Sequence, residues 1–361
     1  MAAFDEGKRD AFVGRLFANT LGAMDSLAVY LGDRLGLYAR LHEGGPATPP
    51  ELAARAGIHE RYAREWLEHQ AAGGYLELAT ASDDPGARRY ALPPEHAEPL
   101  LEETSLNYFT PFTRMTTSLY RPLDALLEAY RTGGGVGWAQ FGPDAREGQA
   151  AANRPVFENL LVGEWLNALP DVRARLEGGP SRIAEVAFGG GWASIAMARR
   201  FPEAAVDGYD IDEASVELAR ANAQQAGVGD RVRFHHADAG ALDLRGQYDL
   251  VTIFEAIHDL PRPVEVLTTM RRLAAPGGAV IAMDENVAER FEAPASEVDR
   301  LFYGFSIAMC LPDGMTHQPS AATGTVMRPD TLRRYATEAG FRGVTVLPVQ
   351  HDFFRLYRLD P

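Results

Sequence analysis

The chain of 361 residues predicts an α/β protein: a mostly parallel sheet covered by helices on both faces and closed by an antiparallel hairpin, behind a mostly helical N-terminal region. Three observations carry this. From Arg182 onward, short apolar runs alternate with helical patterns: strand 182–188, helix 192–201, strand 205–210, helix 213–226, strand 231–237, strand 248–254, helix 262–274 and strand 278–285. The first strand breaks at Gly189-Gly-Gly191 and resumes as a helix at Trp192. Near the C-terminus, strands 343–349 and 353–359 are separated by a short break, so they pair antiparallel.

Upstream, 10–42 reads as helical, with Leu27, Val29, Tyr30, Leu31 and Leu35 spaced to form an apolar face. Its low charge density predicts burial against the rest of the chain or against a second subunit. Pro46-Ala-Thr-Pro-Pro50 then opens a helix-turn-helix. Thr48 caps, proline follows at the first helical position, and Glu51 stands three residues after the cap. Helix 50–56, a turn at Gly57 and helix 60–70 precede two strands of a wing, 73–78 and 88–92. The second helix carries Glu60, Arg61, Arg64, Glu65, Glu68 and His69, a mixed face where a reader of DNA would be basic. This winged helix is therefore read as a dimerisation and substrate-enclosing unit rather than a DNA-binding one. Residues 95–178 hold further helices, among them an amphipathic one over 155–169. Tyr108, Phe109, Phe112 and Tyr120 are assigned mainly to core packing, with some free to line a pocket. The domains are set at 1–100, a helical connector over 101–180, and 181–361.

Composition narrows the functional classes. A net charge of −15 counts against nonspecific binding to nucleic acid. No apolar run is long enough to span a membrane, and the opening Met-Ala-Ala-Phe-Asp-Glu-Gly-Lys lacks the regions of a signal peptide. A single cysteine, Cys310, rules out an internal disulfide and a multi-cysteine metal centre. A cytoplasmic protein is expected, with no resident metal, since no ligand spacing supports one.

The chemistry concentrates at the carboxyl ends of the strands, where such sheets bind ligands. A strand, a glycine turn and a helix N-terminus make a cradle for a nucleotide, because glycine lets the backbone approach and free amides favour polar groups. The strand 205–210 ends in Asp210, placed to accept both ribose hydroxyls of a nucleoside. Dinucleotides and S-adenosylmethionine both fit this much. The dinucleotide fingerprint requires a third glycine where Ser194 stands, and Glu185 inside the first strand suits an ammonium and repels a pyrophosphate.

An alternating domain closed by an antiparallel hairpin resembles the Rossmann-like fold of the class I S-adenosylmethionine-dependent methyltransferases over 182–361. The family's acid-and-glycine motif reads here Glu185-Val-Ala187-Phe-Gly189-Gly-Gly191, with Ala187 in place of the first glycine. The resemblance implies that Glu185 holds the methionine ammonium and that Gly189 and Gly191 lie against the cofactor. It further implies that Asp210 takes the ribose hydroxyls, with Ile211 beside it. Asp238 would accept from the adenine amino group, Ala239 would give a backbone contact, and Phe254 would lie at the cofactor. Tyr30-Leu-Gly-Asp-Arg-Leu-Gly-Leu-Tyr38, Arg61-Tyr-Ala-Arg-Glu-Trp-Leu67 and Gly324-Thr-Val-Met-Arg-Pro329 resemble two-domain bacterial methyltransferases. The layout is also similar to caffeic acid-type O-methyltransferases, which place a His-Asp pair after the fourth strand with histidine as the base, and a homodimer is expected. Here that pair is His258-Asp259. A histidine titrating near pH ~6.5 suits deprotonation of a hydroxyl. Asp259 or a nearby glutamate is expected to orient it, and Glu285 ends the fifth strand at the same edge. His235 and His236 are read as structural, and His317 as part of a loop. The expected activity is methyl transfer to a small, aromatic-like acceptor. The alternatives are a regulator that senses S-adenosylmethionine, an enzyme that uses the cofactor without methyl transfer, and a nicotinamide oxidoreductase.

Overall fold

A computed structural model describes residues 4–361, so Met1 to Ala3, the opening of the segment read for a leader, lie outside the described residues. The chain divides into two compact units, Met1–Thr117 and Ser118–Pro361. Among the described residues, no helix is long and apolar enough to cross a membrane.

In the first unit, helices Glu6–Arg34, Leu37–Gly44, Pro49–Ala56 and Glu60–Ala72 precede an antiparallel ribbon of β1 (Glu77–Thr80) and β2 (Arg89–Ala91). The Thr48 cap forms a full capping box. Thr48 N donates to Glu51 Oε2 at 2.8 Å and Glu51 N donates to Thr48 Oγ1 at 3.4 Å. Trp66 packs edge-on against Tyr38, with centroids 5.1 Å apart, and its Nε1 donates to Ala28 O at 2.9 Å. Gly32 permits that packing, since a Cβ there would sit 2.5 Å from the Tyr38 ring and 2.6 Å from Trp66. The first helix, expected to bury its apolar face against the rest of the chain or a second subunit, does so within the chain only in part. Only Ala28, Val29 and Gly32 are buried, while Leu27, Leu31 and Leu35 are exposed, as are Phe12, Leu16, Phe17, Leu21 and Met24. The packing assignment fits Tyr108, which is buried, but not Phe109 or Tyr120, which are exposed. Phe109 instead stacks on Phe112 with centroids 4.6 Å apart.

The second unit holds a seven-stranded sheet of β3 (Ser181–Val186), β4 (Ala204–Asp210), β5 (Val232–His236), β6 (Tyr248–Phe254), β7 (Ala274–Glu285), β8 (Gly343–Val346) and β9 (Phe354–Asp360). Their order is β5-β4-β3-β6-β7-β9-β8. Five strands pair in parallel, while β9 pairs antiparallel with both β7 and β8, as the C-terminal hairpin predicts. Two apolar cores form because successive strand residues face opposite sides. Ile183, Leu250 and Ile281 enter one, and Ala184, Val251 and Val280 the other. The order reverses between β3 and β6, the switch point at which such sheets open a crevice.

One predicted helix is irregular. Instead of a continuous helix over 155–169, the α-helix Pro143–Pro155 passes into a π turn, Val156–Leu161, and a 3₁₀ turn, Trp165–Ala168. Pro155 brings no amide, and Asn159 Nδ2 donates to the Pro155 carbonyl at 2.9 Å, so side chain replaces backbone in the ladder.

Candidate active site

β3 and β6 are parallel neighbours, with Val186 opposite Ile253. The segments that follow them therefore leave the sheet side by side, the glycine turn from one and Glu255–Asp259 from the other.

The glycine turn is built on unusual backbone. Ala187 has φ 54°, Gly189 φ 52° and Gly191 φ 75°. Alanine in this left-handed region costs about 1–2 kcal/mol. It is pinned there by its own amide, which donates to Tyr209 O at 2.8 Å. A Cβ on Gly191 would strike the Phe234 ring at 2.5 Å, and one on Gly190 would strike Ala150 Cβ at 2.4 Å. At Gly189 nothing lies within 4 Å, so the turn presents open space there. Asp210, at the end of β4, accepts from Gly189 N and Asp212 N, each at 2.9 Å. Burial raises its pKa. Beside it Ile211 is 66% exposed. Glu185 is buried in β3 and accepts from the Ser194 hydroxyl; burial pushes its carboxyl up to about 8. Asp238 accepts from Gly240 N at 2.8 Å and heads a short turn in which Ala239 is buried. Phe254 packs against Phe157 in the apolar core, with centroids 5.5 Å apart.

The β6 side is built from charged side chains. His258 is 2% exposed. Its Nδ1 donates to Asp284 Oδ1 at 2.7 Å and lies 3.0 Å from Glu285 Oε2, which accepts no hydrogen bond. Its Nε2 faces Asp259 Oδ1 at 3.2 Å. Burial alone would depress the histidine's pKa, but Asp259, Asp284 and Glu285 together outweigh it and hold the imidazolium well above its ordinary range. Burial also raises Glu285, while the imidazolium keeps Asp284 ionised against its burial. Glu255 sits at φ 52°, accepts from Gln149 Nε2 at 3.0 Å, and is pushed up to about 8 by burial. The Cys310 thiol, buried near the ring, is pushed up to about 12 by burial. Gly324 N donates to His258 O at 3.1 Å.

Comparison with known proteins bears on this arrangement. A family model described as "Methyltransferase domain" matches residues 183–278, and one described as "Rv2258c-like winged HTH domain" matches 23–101. The chain is 32% identical over 194 residues to a ubiquinone biosynthesis O-methyltransferase of Pseudomonas aeruginosa (strain LESB58), covering 54% of this chain and 76% of that protein. The corresponding protein of Pseudomonas putida (strain GB-1) is 35% identical over 200 residues, covering 55% and 78%. The chain belongs to the class I S-adenosylmethionine-dependent methyltransferases. Among solved structures, mitomycin 7-O-methyltransferase MmcR superposes with a TM-score of 0.71 at 20% identity over 99% of both chains. Human N-acetylserotonin methyltransferase gives 0.67 at 18% identity, covering 100% of this chain and 99% of that one. Both share the fold.

This methyltransferase uses S-adenosylmethionine as its cofactor, and the cradle fits it: open space before Gly189 that any side chain would fill, a half-buried carboxylate on Asp210, and the exposed Ile211 alongside. His258, Asp259 and Glu285 come together as one cluster. His235 pairs with Asp207 at 3.1 Å and stacks on Tyr209, His236 bonds the Ile211 carbonyl at 2.9 Å, and His317 is exposed in its loop. Sequence reasoning missed Asp284, the group that binds Nδ1, as well as Ser194 as the partner of Glu185, Gln149 and Cys310. Asp284 was signalled by its own oddity, an acid closing the apolar run Ala279-Val-Ile-Ala-Met283.

Proposed function

We propose that this methyltransferase acts on a small molecule and methylates a hydroxyl oxygen, with His258 as general base. One observation carries the reading: the buried ring spends Nδ1 on Asp284, which leaves Nε2 as the nitrogen available to an acceptor's proton. Bound S-adenosylmethionine supplies a methyl group made electrophilic by its sulfonium. The chain's own part is to align the acceptor, exclude water and remove its proton. Asp284 fixes the ring as a positioning residue, and Glu285 supports it from the same edge. Asp259 stabilises the charge that forms on Nε2. Because the surrounding carboxylates favour the imidazolium, turnover is expected to rise with pH until the ring is neutral. The names of the Pseudomonas relatives and of MmcR support oxygen as the methylated atom.

On the cofactor side we assign Glu185 to the ammonium, Gly189 and Gly191 to close backbone approach, and Asp210 to the ribose hydroxyls. Ile211 and Phe254 flank the nucleoside, Asp238 takes the adenine amino group, and Ala239 gives a backbone contact. The protein is proposed to be a homodimer joined through 1–100, on the strength of the uncovered apolar face of Glu6–Arg34. Light scattering on a sizing column checks that assignment, and a monomer at micromolar concentration would remove it. The chemical test incubates the protein and its cofactor with phenols, catechols, aliphatic alcohols and anilines, reading methylated products by mass spectrometry. Methyl ethers lost in His258→Ala are expected; methylated anilines alone would move the reaction to nitrogen.

A further inference from the structure

We propose that His258, Asp259 and Cys310 form a binding site for a soft divalent cation of the zinc class, on the Nε2 side of the ring. A ring nitrogen of His258, a carboxylate oxygen of Asp259 and Cys310 Sγ all lie within 4.8 Å of one another. Nε2 and Asp259 Oδ1 are 3.2 Å apart. That is close to the tetrahedron edge of roughly 3.3 Å implied by zinc bonds of about 2.0–2.2 Å to nitrogen and oxygen. Asp259 Oδ1 is buried and accepts no hydrogen bond.

The support behind these groups is also of the right kind. Asp284 binds Nδ1 at 2.7 Å, so the proton that a metal would displace from the ring is the one on Nε2, which faces Asp259. A carboxylate behind a ligating histidine is the usual outer partner of a metal site. Cys310 closes the π turn Ser306–Cys310, a local winding common at functional positions. The Asp259 side chain is 30% exposed, giving an ion a way in. Thiolate with imidazole selects zinc over magnesium or calcium, and three protein ligands leave a fourth position for water. His258, Asp284 and Glu285 also lie within 4.8 Å of one another, but there Nδ1 is already bonded to Asp284 and no thiol is present.

Binding displaces the Cys310 thiol proton and the Nε2 proton of the imidazolium to solvent. The ion takes the lone pair that an acceptor's proton would otherwise meet, so zinc is expected to inhibit turnover and a chelator to restore it. That consequence rests on the base assignment; the site itself does not.

The test is Co²⁺ titration of chelator-treated full-length protein, followed by Zn²⁺. The expected result is a thiolate-to-cobalt charge-transfer band that Zn²⁺ bleaches and that is absent from Cys310→Ser and His258→Ala. Asp284→Asn should weaken Co²⁺ binding by roughly 10–100-fold. S-adenosylmethionine titration of each variant confirms that it is folded. No band in the wild type, or an equal band in folded Cys310→Ser, overturns the site. Since the band is read without an acceptor, its absence leaves the base assignment standing, and full turnover by His258→Ala would sink the base assignment without bearing on the band of the wild type.

Discussion

The two halves of the active site manage buried charge in opposite ways. At the glycine turn, carboxylates are answered locally: Asp210 by the amides of Gly189 and Asp212, Glu185 by Ser194. At the ends of β6 and β7, Asp259, Asp284 and Glu285 crowd one imidazole, and Asp284 Oδ2 and Glu285 Oε2 accept no hydrogen bond. Buried oxygens left without partners are costly and hold their geometry only while every member of the cluster is present. The turn is a binding device whose parts act separately. The histidine cluster is a chemical device whose parts act together.

If that contrast is right, substitutions on the two sides should affect different measurements. The largest effect is expected on the chemical side: His258→Ala should cut turnover by about 10²–10⁴-fold while leaving cofactor binding nearly unchanged, as read by single-turnover methylation and calorimetry. Equal loss of both would erase the distinction. Asp210→Ala should do the reverse. It removes charge-assisted hydrogen bonds worth about 1.5–3 kcal/mol each, so affinity for S-adenosylmethionine should fall by about 10–100-fold for each ribose bond lost.

A smaller effect separates Glu185 from its surroundings. Burial pushes this carboxyl up to about 8, so it is mostly protonated in the free protein at neutral pH. Holding an ammonium needs the ionised form. Cofactor binding should therefore release a proton below pH 8 and tighten as pH rises toward 8, by at most about tenfold per pH unit. Titration in buffers of different ionisation enthalpy measures that proton, and binding that releases none would remove Glu185 from the ammonium site. The smallest effect tests the strained turn. Ala187→Gly relieves a left-handed alanine and should stabilise the protein by about 1 kcal/mol in urea unfolding. Destabilisation would mean that the alanine methyl makes contacts worth more than the strain.

The same contrast explains what could be read from the sequence. The alternation of strands and helices, the C-terminal hairpin and the Thr48 cap were legible because each depends on residues near one another in the chain. So was the glycine turn, whose parts lie between Glu185 and Asp210. The histidine cluster joins residues from the segment after β6, from the last two positions of β7 and from the π turn 306–310. Sequence reading found His258 by its place after a strand but not Asp284, which is 26 residues away and bonded to it. The irregular winding after Pro155 escaped for another reason: its apolar spacing resembles a helix, and one proline with one asparagine redirects the hydrogen bonds. The exposed first helix was legible as apolar, yet amphipathic spacing alone does not reveal what covers the face.

The central claim is that binding and chemistry are carried by separate halves of one site. Calorimetric titration of S-adenosylmethionine into the wild type, Asp210→Ala and His258→Ala tests it without knowledge of the acceptor. The account predicts binding by the wild type and by His258→Ala, with binding strongly weakened in Asp210→Ala. Loss of binding in His258→Ala, or full affinity in Asp210→Ala, would contradict it.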